Sequence, residues 1–244
     1  MSSRDNNRTA RQSEQSQGST RSASAVEVVG NERMTALAGA VLLVLFTVEM
    51  VTAARLRSLL SIHVFVGVLL VGPLTVKIGS TGYRFIRYYT GSPAFVRRGP
   101  PRLALRVLAP FLLVTTLVVV GSGIGLLVAG PSQPGSLLFI HGVSSLLWLP
   151  LVAVHVFAYI WKTPRLIADD WNERATGRRQ ESRIRFGVNL GMLLASMVAA
   201  ILVFPSAAPW VVWSQVNGNI PGPLVVGVVA AVLALLATRP FTWR

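Results

Sequence analysis

The 244-residue sequence contains no cysteine. That excludes disulfides, thiolate-bound iron–sulfur clusters, palmitoylation and the C-x-x-C-H attachment of c-type haem. Acidic residues are scarce: nine Asp and Glu stand against 23 Lys and Arg, for a formal net charge of +14. In a soluble domain such a balance would suggest nucleic acid. Here the basic residues lie between apolar runs, which is a pattern of membrane topology with no nucleic-acid partner. Apolar residues make up 52% of the chain and charged ones only 13%, the composition of a multi-span membrane protein. No nucleophile triad, phosphate loop or metal cluster appears. Gly121-Ser-Gly123-Ile-Gly125 sits in an apolar run and lacks the strand–helix setting of a dinucleotide site.

Residues 1–33, rich in Ser, Arg, Gln and Asn, read as a disordered tail. The apolar run that follows is too long for the core of a cleaved signal peptide and lacks a clear cleavage site, so it reads as a retained span. Six transmembrane helices are predicted, at about 34–54, 59–78, 105–129, 137–161, 187–204 and 223–238. The fold class is all-α integral membrane: a four-helix bundle over 34–161, a loop over 162–186 that holds a short surface helix, and two further helices in 187–244. The basic residues set the orientation. Twenty lie in the tail, the loops 79–104 and 162–186, at Arg106 just past the first loop, and in the C-terminus, whereas the other side holds only Arg55 and Arg57. Both termini are therefore expected in the cytoplasm of a multi-pass plasma-membrane protein.

The polar residues inside the spans are few and regularly placed. His63 and Lys77 stand 14 apart on span two, and His141 and His155 stand 14 apart on span four. These include all three histidines and the only lysine in an apolar run. Fourteen residues close nearly four helical turns, so each pair shares a face, with about 21 Å of rise between its members. Spans two and four both run inward, which puts His63 level with His141 near the outer surface. Lys77 and His155 are level near the inner one, seven residues before Arg84 and Lys162 respectively. Pro73 and Pro150 are expected to kink these spans between the polar residues. Gly67, Gly72, Gly121, Gly123 and Gly125 either allow close helix packing or clear space for a flat macrocycle; both readings can hold together.

Titratable groups in a span are expensive and point to function. Neutral imidazole is the usual protein ligand of b-type haem, and a bundle with two haems needs one ligand pair near each surface. The bland reading of His63 and His141 is a pair of histidines hydrogen-bonded within the bundle. The paired histidines on span four resemble the di-haem four-helix membrane cytochrome b family, in which two helices each supply an upper and a lower histidine. The resemblance covers residues 34–161. It implies an outer haem b on His63 and His141 and an inner one with His155 as one ligand. Where the family has its fourth histidine, this chain has Lys77. A lysine amine ligates iron only when deprotonated, which a membrane interior favours. Lys77 also lies near enough to Arg84 to snorkel to the headgroups, or to meet an anion such as a haem propionate. The segments STGYRFIRYYTG (80–91), RRGPP (97–101) and ADDW (168–171) are similar to bacterial membrane cytochrome domains, some joined to an extracytoplasmic molybdopterin oxidoreductase domain. This resemblance implies a bacterial inner membrane and, since no such domain is present here, a separate oxidoreductase chain as partner.

Three further features leave alternatives open. Glu49, the only acid inside a span, either pairs with Arg55 or Arg57 or releases protons beside the outer haem. The arginines and aromatics of 79–104 suit anionic lipid or a docked soluble protein. Trp210 and Trp213 form an interfacial belt or a lid over a quinone site. The expected function is electron transfer across the bilayer between a quinol pool or cytoplasmic donor and a redox partner, as a subunit of an oxidoreductase. The rival is a cofactor-free membrane subunit, assembly factor or small-molecule carrier with structural histidines.

Overall fold

The computed structural model describes residues 2–132, 134–175, 179–217 and 222–242, with side chains over 26–132, 134–170, 172, 181–217 and 225–237. Among these residues every regular element is a helix. In chain order they are α1 (Ser2–Ala54), α2 (Leu56–Leu69), α3 (Val71–Tyr89), α4 (Pro93–Arg98), α5 (Leu103–Ala129), α6 (Gly135–Tyr159), α7 (Thr163–Ala175), α8 (Arg179–Val203), α9 (Ala208–Asn217) and α10 (Gly222–Thr242). A short 3-10 turn, Phe204–Ala207, joins α8 to α9.

Five helical stretches are long and apolar enough to cross a bilayer: Val26–Ala54, Leu56–Tyr89, Leu103–Ala129, Gly135–Tyr159 and Glu181–Asn217. The first five predicted spans fall on them. The sixth falls on α10, whose described side chains form the apolar stretch Val225–Ala237. Large apolar side chains face outward along these helices, among them Phe111, Val114 and Leu117 of α5 and Leu194, Val198 and Leu202 of α8. Lipid contact follows from those faces, and the chain is a multi-pass membrane protein.

Helix α1 extends back through the stretch 1–33 whose composition suggests a disordered tail, and its residues from 26 onward are packed. Val28 is buried against Ala94 and Phe95 of α4. Glu32 pairs with Arg84 at 3.1 Å and with Arg98 at 2.8 Å. Glu27 accepts from Tyr83 and lies 3.4 Å from Arg87. Partners on α3 and α4 thus give the polar end of α1 the pairing that its composition alone does not reveal. The surface helix expected in 162–186 is α7. Its Asp170 is buried and accepts from Ser182 (2.9 Å) and Arg185 (3.2 Å) of α8.

Span two is interrupted where its proline requires it. Pro73 has no N–H, so the carbonyl of Leu69 loses its helical donor. α2 ends at Leu69 and α3 begins at Val71. Ser196 of α8 supplies the missing donor at 2.9 Å. The two backbones come that close because position 72 carries no side chain. A Cβ on Gly72 would lie 2.1 Å from the Met192 carbonyl oxygen and 2.5 Å from Ser196 Oγ. Here the glycine serves close packing, one of its two expected uses.

The helices sort into two groups. α1, α2, α3, α8 and α9 pack on one another, and so do α5, α6 and α10. Between the groups side chains bridge a gap, with Phe46 of α1 packed at a tilt against Trp148 of α6, 4.8 Å between ring centres. Gly72→Ala should overpack the α3–α8 crossing and destabilise the protein by about 1–3 kcal/mol. Its unfolding midpoint in detergent, compared with the parent's, checks this; an unchanged midpoint would refute the close approach.

Candidate functional site

Two cavities lie in the gap, one above the other. The first, of about 210 Å³, is lined by Glu49, His63 and Gly67 on one side and Val119, Gly123 and His141 on the other, with Trp210 and Trp213 of α9 also on its wall. The second, of about 730 Å³, is lined by Gly39, Lys77, His155, Tyr159 and, from α7, Ile167 and Asn172. Phe46, Leu74, Thr116 and Trp148 border both cavities and form the partition. The partition leaves no donor idle: Trp148 Nε1 donates to Thr116 Oγ1 at 2.9 Å, and that hydroxyl donates to the Leu112 carbonyl at 2.6 Å.

The structure brings His63 and His141 together across the first cavity. Their ring centres are 6.4 Å apart and their planes 82° to each other. Each ring is held from behind at Nδ1. His63 Nδ1 lies 3.0 Å from Glu49 Oε1 and 3.3 Å from the Thr52 hydroxyl. His141 Nδ1 lies 3.0 Å from the Val119 carbonyl. The Val119 carbonyl accepts only, so the His141 imidazole carries its proton on Nδ1 and keeps the Nε2 lone pair; His63 does the same when Glu49 is ionised. The glycines expected to clear space divide by position. Gly123 lies against the His141 ring, where a Cβ would be 3.2 Å from Cε1. Gly67 faces Glu49, Gly125 faces Leu137, and Gly121 faces nothing within 4 Å.

Glu49 does not pair with Arg55 or Arg57 as its sequence position suggests. Arg55 sits in the turn that ends α1, and both arginines are solvent-exposed, whereas Glu49 is buried against span two. The sequence signal that could have found His63 as its partner is depth. Glu49 is six residues before Arg55 and His63 eight after it, so the two lie at a similar level.

Lys77 and His155 line one cavity but are held less firmly. Lys77 Nζ donates to the Thr35 carbonyl of α1 at 3.1 Å, over Gly39, where a Cβ would be 3.0 Å from it. The amine therefore turns to the cavity wall and neither snorkels past it nor meets an acid. The His155 ring rests on Tyr159, 5.0 Å between centres. No hydrogen bond orients it among the described residues. Nor do three or more His, Cys, Asp or Glu side chains converge there as a metal cluster, and paired axial ligation requires only two.

No family model, curated protein or solved structure matches this chain.

The Nδ1 contacts fix a tautomer that can be measured. In the full chain labelled with 15N-histidine, two of the three imidazoles should show the proton on Nδ1. Glu49→Ala should shift one of them and leave the other. Two Nε2–H rings in the parent would contradict the geometry.

Proposed function

We propose that the chain is a b-type cytochrome of the bacterial inner membrane. It carries electrons across the bilayer between a quinol pool or cytoplasmic donor and a separate extracytoplasmic oxidoreductase chain. In this reading 34–161 is the cytochrome b-like bundle, the arginine-rich end faces the cytoplasm, and α10 is a sixth span. Haem b is held non-covalently between the two helix groups, one on His63 and His141 and a second on His155 with Lys77 opposite.

A single observation carries the reading: two imidazoles from different helices face each other across one cavity at 6.4 Å between ring centres. Two metal–imidazole bonds of about 2 Å each put ring centres about 6 Å apart. Ligating histidines characteristically give their other N–H to a carboxylate or a backbone carbonyl, the partners that Glu49 and Val119 supply. Those acceptors fix the ring orientation and raise the basicity of Nε2. Gly67 and Gly123 keep side chains off the cavity walls, and the lining is mostly apolar. When bound, haem iron supplies a one-electron couple whose potential answers to these ligands and to burial.

Volume divides the two sites in the opposite sense to the donors. The cavity of about 730 Å³ falls in the ~300–1,000 Å³ range of cofactor pockets, and that of about 210 Å³ falls below it. Leu60, Leu127 and Leu138 are among the side chains that line the smaller one, and the cavity must widen for a macrocycle to enter. The cofactor-free reading has its own support, since the same Nδ1 hydrogen bonds satisfy both histidines without a metal. In it the 6.4 Å, 82° arrangement is an edge-to-face contact between two rings.

A visible spectrum of the purified, reduced protein separates the readings. About two haems per chain are expected. His63→Ala should remove the outer one, and Lys77→Ala should lower the count by one. No haem bands at all would sink the cytochrome reading, and one haem in the parent, unchanged by Lys77→Ala, would remove the inner site.

A further inference from the structure

Helix α9 closes the His63–His141 cavity and carries one group that the fold leaves unused. Trp210 is buried, 6% exposed, and lines the cavity. Its ring packs edge-on against Trp213, 5.6 Å between centres. Its indole Nε1 is buried with no hydrogen-bond partner among the described residues. An indole nitrogen is a donor only, and burying it without an acceptor is costly enough that such groups are rare. The same wall includes Arg57, whose backbone carbonyl accepts from Gln215 Nε2 at 2.9 Å and so ties α9 to the start of α2. The Arg57 guanidinium has no ion pair among the described residues. The one acid near this end of the spans, Glu49, is engaged by His63. One cavity wall therefore offers an idle N–H donor and a cation, and no anion among the described residues answers them.

We propose that Trp210 donates its indole N–H to a carboxylate of the molecule held in the His63–His141 cavity, with Arg57 as the matching cation. The inference rests on the haem reading above and adds a direction to it: the two propionates of the macrocycle lie toward α9 and the end that carries Arg57. Charge-assisted hydrogen bonds of this kind are the strong ones, and a donor already buried and desolvated makes them without rearrangement. Such an arrangement also gives α9 a role. Its lid completes the site rather than merely anchoring at the interface. A lipid carboxylate has the same chemistry, and the test distinguishes the two sources.

The full chain, prepared without haem and held in detergent, is titrated with hemin, with hemin dimethyl ester and with palmitate. Trp210→Phe keeps an aromatic ring in the lid and removes only the donor; Arg57→Gln removes the charge and leaves the backbone carbonyl to Gln215. Each variant should weaken hemin binding about tenfold, the scale of one hydrogen bond to a charged group. The diester, which lacks carboxylates, should bind parent and variants alike. Three results would overturn the proposal: hemin affinity unchanged in both variants, hemin and diester weakened equally, or palmitate binding alone reduced. Absence of hemin binding by the parent would instead be the failure of the cytochrome reading, and is visible before any variant is made.

Discussion

A polar group inside a bilayer has no water to turn to, so every donor and acceptor in the spans must find a partner within the protein. That constraint shapes this chain from its backbone outward. Pro73 deprives the Leu69 carbonyl of a donor, and Ser196 supplies one from α8. The approach needed for that bond requires Gly72 to be bare, and it fixes α8 against span two. Thr116 receives the Trp148 indole, and Thr35 receives the Lys77 amine at its carbonyl. At the arginine-rich end, Glu27, Glu32 and Asp170 tie α1, α3, α4, α7 and α8 together through arginines.

The same accounting distinguishes the two cavities. Around the first, both histidines are held at Nδ1, one by the Glu49 carboxyl, whose other oxygen lies 3.4 Å from the Thr52 hydroxyl, and one by the Val119 backbone carbonyl. Two rings fixed in this way present Nε2 at defined positions, which is what paired ligation requires of a protein. Around the second, Lys77 spends its amine on α1 and His155 rests on a tyrosine ring. The larger space there has the more loosely held candidate ligands. If both sites bind haem, the first is preorganised by hydrogen bonds, and the second must draw Lys77 away from Thr35.

Much of this arrangement was legible in the sequence because helices are regular. The 14-residue spacing and the Lys and Arg asymmetry together place His63 beside His141 and Lys77 beside His155, since depth depends only on rise and direction. Azimuth is a different matter. Which neighbour Glu49 chooses depends on how α1 is rotated against α2, and an i, i+6 arginine looks as good on paper as a histidine on another helix. The packed start of α1 was hidden for a related reason. A polar stretch reads as solvated unless its partners, here Arg84 and Arg98, are known to lie beside it. The role of α9 was equally out of reach, because a pair of tryptophans at an interface is common and only the burial of Trp210 Nε1 without an acceptor marks it as different.

The central claim is that His63 and His141 serve one metal centre. Electron paramagnetic resonance of the oxidised full-length protein tests it most directly, because two imidazole planes near 82° give a strongly anisotropic low-spin ferric signal. That signal should be present in the parent and should vanish in both His63→Ala and His141→Ala. Survival of this strongly anisotropic signal in either variant, or its absence from the parent, would contradict the account, whatever signal the inner haem gives.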